Sequence, residues 1–303
     1  MVGDLHIHTR FSDGSYNVAE ALAEASRRGL GYVSFVDHDT VDQTATALAA
    51  AAAWASSEPE PLRDTAAGTV KPAVRSPLIV PGVEISAYDF ERDRKVHILG
   101  YGYAADAASI RSLCDPLIRR RHENTLRQAE TLRGAGYPVD EDALRAVAAG
   151  EDGAGKWLYK QHVMLVLMAA GAADAIYGPL YRSLFKGKGI CARDIAYVDA
   201  RDAVKAVVED GGLPVLAHPG QTDSWDIVPD LVDAGLSGIE LYHEDHGKAD
   251  HHRSRAAADR FGLFLAGGAD DHGDWGSEHR MGDIRAPFGC LDEMRMRGAA
   301  RLP

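Results

Sequence analysis

Along most of the chain, short apolar runs alternate with stretches whose apolar positions recur every three or four residues. The runs are LHIH (5–8), YVSFV (32–36), PLIVPGVEI (77–85), KVHILGYGY (95–103), LPVLA (213–217), GIELYH (238–243) and LFLAGG (263–268). Between them, NVAEALAEASRRG (17–29), ARDAVKAVVEDGG (200–212) and WDIVPDLVDAG (225–235) predict helices, each closing on glycine, a common helix stop. Strand, helix and strand in repetition predict parallel strands joined by crossover helices. The fold class expected is α/β, and seven such strands suit a (β/α)7 TIM-like barrel better than an open sheet.

The alternation breaks between about 104 and 200. LIRRRHENTLRQAETLRGAG (117–136), DEDALRAVAAG (140–150) and KQHVMLVLMAAG (160–171) all carry a helical period, with no convincing strand between them. Residues 104–200 are therefore expected to form a helical insertion, and residues 1–103 and 201–303 the barrel. The alanine-rich stretch 45–55 predicts a helix. The following SSEPEPLRDTAAGTVKPAVRS (56–76) is rich in proline and charge, has no period, and is expected to be an exposed, mobile loop.

Composition narrows the class. The chain of 303 residues is 46% hydrophobic and 26% charged, as core-forming proteins are. No run approaches the ~20 apolar residues of a bilayer span, and MVGDLHIHT lacks the basic and apolar parts of a signal peptide. Cys114, Cys191 and Cys290 are odd in number and far apart, which argues for a reducing cytoplasm and against a disulfide framework or a thiolate zinc site. A net charge of −12 does not suit a protein that grips long nucleic acid. If the substrate is anionic, the positive charge must be local, and metal ions are the obvious source.

The candidate chemistry begins at DLHIHTRFSDG (4–14). Alternate side chains of a strand share a face, so His6 and His8 emerge side by side, about 7 Å apart at the backbone. An isolated His-x-His is more often two polar strand residues than a metal site, and the rest of the chain decides. Asp13 follows the first strand, and His38 follows the second in VDHDT. Glu84 ends LIVPGVE, His97 lies in KVHILGYG, and His218 follows PVLA. Asp270 and His272 follow LFLAGG. In parallel α/β barrels the carboxyl ends of the strands form one rim, where active sites are built. Six histidines and three carboxylates at that rim, with no cysteine, suit zinc, manganese or iron more than calcium.

These stretches resemble the polymerase and histidinol phosphatase (PHP) family. DLHIHTRFSDGS, VDHDT, PGVEIS, HILGYG, AHPG and ADDHG follow the family's order from residue 4 to 273. The similarity is greatest to stand-alone phosphoesterases with a helical insertion, including those acting on nucleotide 3′-phosphates. The resemblance implies a distorted seven-stranded barrel and a trinuclear centre. One ion would be held by His6, His8, Glu84 and Asp270, a second by Glu84, His97 and His218, and a third by Asp13, His38 and His272. Ala269 stands where the family usually has serine, which implies a lost supporting hydrogen bond. The family opens an insert helix with a Gly-Arg-Pro-His-like segment. YKQHVM is its match here, giving Lys160 and His162 as substrate contacts, with Arg121 a further candidate. Lysine keeps the charge but loses bidentate phosphate recognition. FKGKGICAR (185–193) is basic and Gly-rich enough to touch a phosphate, although such stretches are more often plain loops.

Three divalent ions against three carboxylates leave an excess of about three positive charges, suited to a phosphate monoester dianion. The reading is therefore a phosphoesterase acting on a small phosphorylated substrate, by attack of a hydroxide bridging two ions near Glu84. The 3′-phosphate of a nucleoside 3′,5′-bisphosphate or of a short oligonucleotide is the first substrate expected. Histidinol phosphate is the alternative. A metal barrel that cleaves C–N or C–O bonds is a second class, weakened by the lack of a strand-end lysine. A non-catalytic metal-binding PHP module is a third. Asp37, Asp39 and Asp271 are expected to orient the ligands. The histidines of YHEDHGKADHHR (His243, His246, His251 and His252) are expected on a solvated helix start, outside the metal sites.

Overall fold

A computed structural model describes residues 1–56 and 76–303; the expected loop 56–76 falls almost wholly outside them. The strands are β1 (Gly3–Ile7), β2 (Tyr32–Phe35), β3 (Leu78–Ile79), β4 (Gly82–Asp89), β5 (Arg94–Tyr101), β6 (Val198–Asp199), β7 (Leu213–Leu216), β8 (Gly238–Tyr242) and β9 (Phe264–Gly267). Helices α1 (Val18–Arg27) and α2 (Asp42–Ser56) follow β1 and β2. Helices α3 (Ala108–Gly134), α4 (Glu141–Ala149), α5 (Lys160–Ala169) and α6 (Pro179–Phe185) come between β5 and β6. After β6 come α7 (Ala200–Glu209), α8 (Pro219–Thr222), α9 (Val228–Ala234), α10 (Lys248–Phe261) and α11 (Cys290–Met296).

Among the described residues, the strands do not close the expected barrel. They form a three-stranded parallel sheet, β1-β2-β3, and a six-stranded mixed sheet, β6-β4-β5-β7-β8-β9. The run 77–85, read as one strand, breaks at Val80–Pro81. Pro81 has no N–H to give to a ladder, so β3 stays in the first sheet while β4 opens the second. The expectation of parallel strands fails at β5, which is antiparallel to both β4 and β7. The connection between β4 and β5 is too short for a crossover and allows only a hairpin.

The two sheets touch at both edges. Asp39 N–H donates to Glu84 O (2.9 Å), beside a bridge between His38 and Glu84. At the other edge His8 N–H donates to Asp271 O (2.8 Å) and Asp271 N–H to His6 O (3.2 Å). Each seam passes close to a glycine. A Cβ on Gly82 would lie 2.0 Å from Ser34 Oγ, and one on Gly268 would lie 2.4 Å from His6 N. Gln43 of α2 ties the first seam, its Nε2 donating to Phe35 O (3.1 Å) and Gly82 O (2.8 Å).

Helices cover the outer face of the larger sheet, where Val83, Ile85, Val96 and Ile98 meet Val204 and Val207 of α7 and Leu231 of α9. The four helices from α3 to α6 have a second core of their own, built on Leu132, Leu144, Val163, Met164, Leu167, Leu184 and Phe185. Buried Asp210 joins the two parts by capping α3, accepting from Ser109 N–H (3.0 Å) and Ile110 N–H (2.8 Å), groups that have no partner inside the helix. No helix among the described residues is long and apolar enough to cross a membrane, and the three cysteines are free and buried.

Gln43→Leu removes both side-chain hydrogen bonds across the first seam. It should lower stability to urea by about 1–3 kcal/mol; an unchanged midpoint would show that the seam holds without it.

Candidate metal centre

The buried carboxylate of Glu84 lies where β4 leaves the first seam, and five imidazoles surround it. Its Oε2 lies 3.3 Å from His6 Nε2, 3.2 Å from His8 Nε2 and 3.3 Å from His38 Nδ1. Its Oε1 lies 2.8 Å from His97 Nδ1 and 2.9 Å from His218 Nε2. The second seam supplies the rest. Asp270 Oδ1 is 3.3 Å from His6 Nε2 and 3.1 Å from His8 Nε2, and His272 Nε2 is 3.4 Å from Asp13 Oδ1. All nine residues expected from the sequence thus meet in one place.

The atoms fall into overlapping sets, each within 4.8 Å: His6, His8, Glu84 and Asp270; His8, Asp13, His38 and His272; and His38, Glu84 and His97. His218 meets Glu84 but also gathers with His243 and Asp270. The backbone bends to bring this about. Asp39, His218 and Asp270 take φ values of 58°, 23° and 53°, a region side chains rarely adopt and one that clusters at functional sites.

The donor set fits divalent metals. Both ring nitrogens of His8, Nδ1 of His38 and of His218, and Oδ1 of Asp13 and of Asp270 are buried without a hydrogen-bond partner. Buried polar atoms are normally satisfied, and six of them converging here are what a cation site needs. Burial would raise the Glu84 carboxyl, yet the imidazoles gathered around it hold it well below the usual range. Burial likewise opposes the charge on Asp270, which His6, His243 and His8 hold low. Burial pushes His38 down to about 3, leaving it neutral and ready to donate a lone pair. Against burial, Asp13 draws His272 up to about 10.

The surroundings orient these groups. Asp37 accepts from Thr9 N–H (2.8 Å), Thr9 Oγ1 (2.7 Å) and Ser12 Oγ (2.7 Å), fixing the loop before Asp13. Asp39 accepts from Ser86 N–H (2.7 Å), and Asp271 from Gly273 N–H (2.7 Å) and Met281 N–H (2.8 Å). Buried Ala269 keeps its N–H on Asp4 (3.2 Å).

Three contributors were not foreseen. Glu240, buried inside β8, holds His6 Nδ1 at 3.0 Å and accepts from His218 N–H at 2.7 Å. A glutamate in an otherwise apolar strand was the available signal, because a buried carboxylate must be paired. His243 corrects the expectation of a solvated helix start. It is 2% exposed, lies before α10, and its Nε2 is 3.2 Å from Asp270 Oδ2. Asp245 N–H donates to its Nδ1 (3.1 Å), which leaves Nε2 to donate to Asp270. His246 is buried as well, fixed between Leu241 O (3.1 Å) and Gly220 N–H (3.1 Å), whereas His252 is exposed as expected. Gln161 on α5 donates to Asp13 Oδ2 (2.8 Å) and to Tyr177 OH (3.1 Å).

The three expected substrate contacts take different positions. Arg121 is committed, its Nη2 lying 2.8 Å from both Asp39 Oδ2 and Ser86 Oγ. His162 is buried between the rings of Tyr159 and Trp275, its Nδ1 accepting from Tyr159 N–H (3.1 Å). It supports Tyr159, whose hydroxyl donates to His38 O (2.9 Å). Lys160 is mostly buried, 3.9 Å from Asp194 Oδ2.

No protein-family sequence profile matches the chain. Among curated proteins it is 46% identical over 290 residues to a phosphoribosyl 1,2-cyclic phosphate 1,2-diphosphodiesterase of Eggerthella lenta, covering 95% of this chain and 100% of that one. It is 28% identical to a 3′,5′-nucleoside bisphosphate phosphatase of Chromobacterium violaceum, over 89% of this chain and 86% of that one. Its fold is similar to that of a Bifidobacterium adolescentis protein assigned as a metal-dependent phosphoesterase. The TM-score is 0.82 at 24% identity, covering 98% and 96% of the two chains. The chain belongs to the PHP family of metal-dependent phosphoesterases. It is a hydrolase of phosphoric esters.

His243→Ala frees Asp270 Oδ2 and should weaken divalent-metal binding roughly 10–100-fold with the fold retained, read by calorimetric titration and circular dichroism. Equal affinity would show that Asp270 is held by other groups. Because His6 and His272 hold protons that a metal must displace, affinity should climb with pH up to about 10, with protons released into weak buffer on binding. Affinity independent of pH would contradict this.

Proposed function

We propose that the chain hydrolyses a phosphoester of a ribose that carries a second phosphate. Three divalent ions (Mn, Fe or Zn) would be held by His6, His8, Asp13, His38, Glu84, His97, His218, Asp270 and His272. The observation that carries this reading is the set of buried, unpartnered imidazole and carboxylate atoms around Glu84. When bound, such ions lower the pKa of coordinated water and neutralise charge on a phosphoryl group. Glu84 presents one oxygen to His6, His8 and His38 and the other to His97 and His218, which supports the reading that it would help hold two ions.

The relatives' names guide the substrate. The E. lenta enzyme acts on a phosphoribosyl cyclic phosphate and the C. violaceum enzyme on a nucleoside bisphosphate; both names describe a ribose with a phosphate besides the scissile one. Identity over the full length of the first favours the 1,2-cyclic phosphate. The Lys160 and His162 segment, similar to that of nucleotide 3′-phosphatases, supports the 3′-phosphate as the second reading. Each hydrolysis adds water and breaks one P–O ester bond. The helices between 104 and 200 are proposed to cap the centre, since Tyr159 and Gln161 reach His38 and Asp13 from that side.

Metal-loaded protein should open phosphoribosyl 1,2-cyclic phosphate faster than it releases phosphate from adenosine 3′,5′-bisphosphate, and act least on histidinol phosphate. His8→Ala should lose metal and hydrolysis together. Bound metal with no hydrolysis of any of the three would leave a non-catalytic metal-binding module as the reading.

A further inference from the structure

The face of the β4–β5 hairpin that carries Glu84 and His97 continues beyond them. Along β4 the next residues on that face are Ser86 and Tyr88, paired in register with His97 and Lys95 of β5. Lys95 therefore stands on the same face as His97, about 7 Å further along the strand, a separation comparable with the width of one sugar ring. Its Nζ lies 2.5 Å from Asp194 Oδ2 and 5.0 Å from the centre of the Tyr197 ring, which stacks on Tyr88.

Two more lysines meet there. Lys160 Nζ reaches the same Asp194 oxygen at 3.9 Å, and Lys186, just after α6, lies over the ring of Tyr181 at 5.8 Å. Burial pulls the Lys160 ammonium down to about 8; Asp194 opposes this, while Lys95, Arg121 and Lys186 add to it. Lys95 and Lys160 thus share one carboxylate, and Lys186 lies near enough for the charges of Lys95 and Asp194 to act on it. Arg121 beside them has its own acid in Asp39. In a chain of net charge −12, this local excess of positive charge beside the metal centre calls for an anion. A structural ion pair would need only one of the three lysines.

We propose that Lys95, Lys160 and Lys186 form the subsite for the substrate's second, non-reacting phosphate, with Asp194 holding the lysines in place until it binds. The inference rests on the reading that this centre hydrolyses a ribose phosphoester. A phosphate dianion takes two or three charge-assisted hydrogen bonds from the ammonium groups, while its partner phosphoryl group reaches the centre beside His97. The subsite would select phosphorylated sugars over their plain counterparts.

The test compares substrates in pairs on metal-loaded protein. The pairs are phosphoribosyl 1,2-cyclic phosphate with ribose 1,2-cyclic phosphate, and adenosine 3′,5′-bisphosphate with adenosine 3′-monophosphate. The pair showing the larger wild-type preference identifies the source of the second phosphate. Lys95→Met and Lys160→Met should each reduce that preference in kcat/KM roughly tenfold or more, mainly through KM. Lys95→Arg, which keeps the charge, should restore most of it. Equal losses on both members of a pair, or no loss, would overturn the subsite. If wild-type protein cleaves none of the four, the proposed function falls and the subsite is judged by calorimetry with ribose 5-phosphate and ribose. Tighter binding of ribose 5-phosphate, weakened tenfold by Lys95→Met, supports it; binding that Lys95→Met leaves unchanged refutes it.

Discussion

One buried carboxylate organises this protein. Glu84 is 1% exposed and lies within 3.3 Å of five imidazoles from four different strand ends or loops. A carboxylate out of water is costly unless paired. The pairing it receives is distributed, since among the described residues no single arginine or lysine neutralises it. Histidines that can be neutral or charged suit such a position, because their charge adjusts to that of any cation held among them. Packing these groups together also costs conformational freedom at each strand end, which explains why the rim is reinforced so heavily.

Fold and centre meet at the same seams. The two sheets come together at single bridges rather than closing as a continuous ladder, one bridge at Glu84 and the other beside His6 and His8. Glycines at 82 and 268 permit the close approach, and buried acids hold each seam. Asp37 and Asp39 work on one side, and Asp4 and Asp271 on the other. Glu240 and His243 then fix the rotation of His6 and Asp270. Membership of the PHP phosphoesterases and the positive cluster at Lys95 belong to one electrostatic picture. In this acidic protein the proposed subsite would set a few positive charges beside the metal-ligand cluster, where a phosphorylated substrate gains most from them.

Strand positions were legible because apolar runs survive wherever a strand is buried on both faces. The helices ending at Gly29, Gly211 and Gly235 were legible for a related reason. Each glycine takes a positive φ that few other residues tolerate. Strand direction was less legible. The antiparallel placement of β5 depends on a turn only a few residues long, which the pattern of apolar runs does not weigh. Closure into a barrel depends on which edges find a partner, and Pro81 at the first seam prevents a continuous ladder there.

The centre divides in the same way. The nine candidate ligands could be read from the chain because each is a polar residue within or soon after an apolar run, where such a side chain needs a special reason. Glu240 left one local signal, a glutamate inside an apolar strand, but nothing local distinguishes His243 and Gln161 from ordinary loop and helix residues. Their role exists only through contacts with centre residues from 22 to 234 positions away. The sequence by itself determined which side chains could carry the chemistry and which segments would be strands and helices, since both follow from local composition and period. Only the tertiary structure decided how the sheets meet, which groups orient the ligands, and where Lys95 and Lys160 share one acid. Those are distances between parts of the chain that no local pattern encodes.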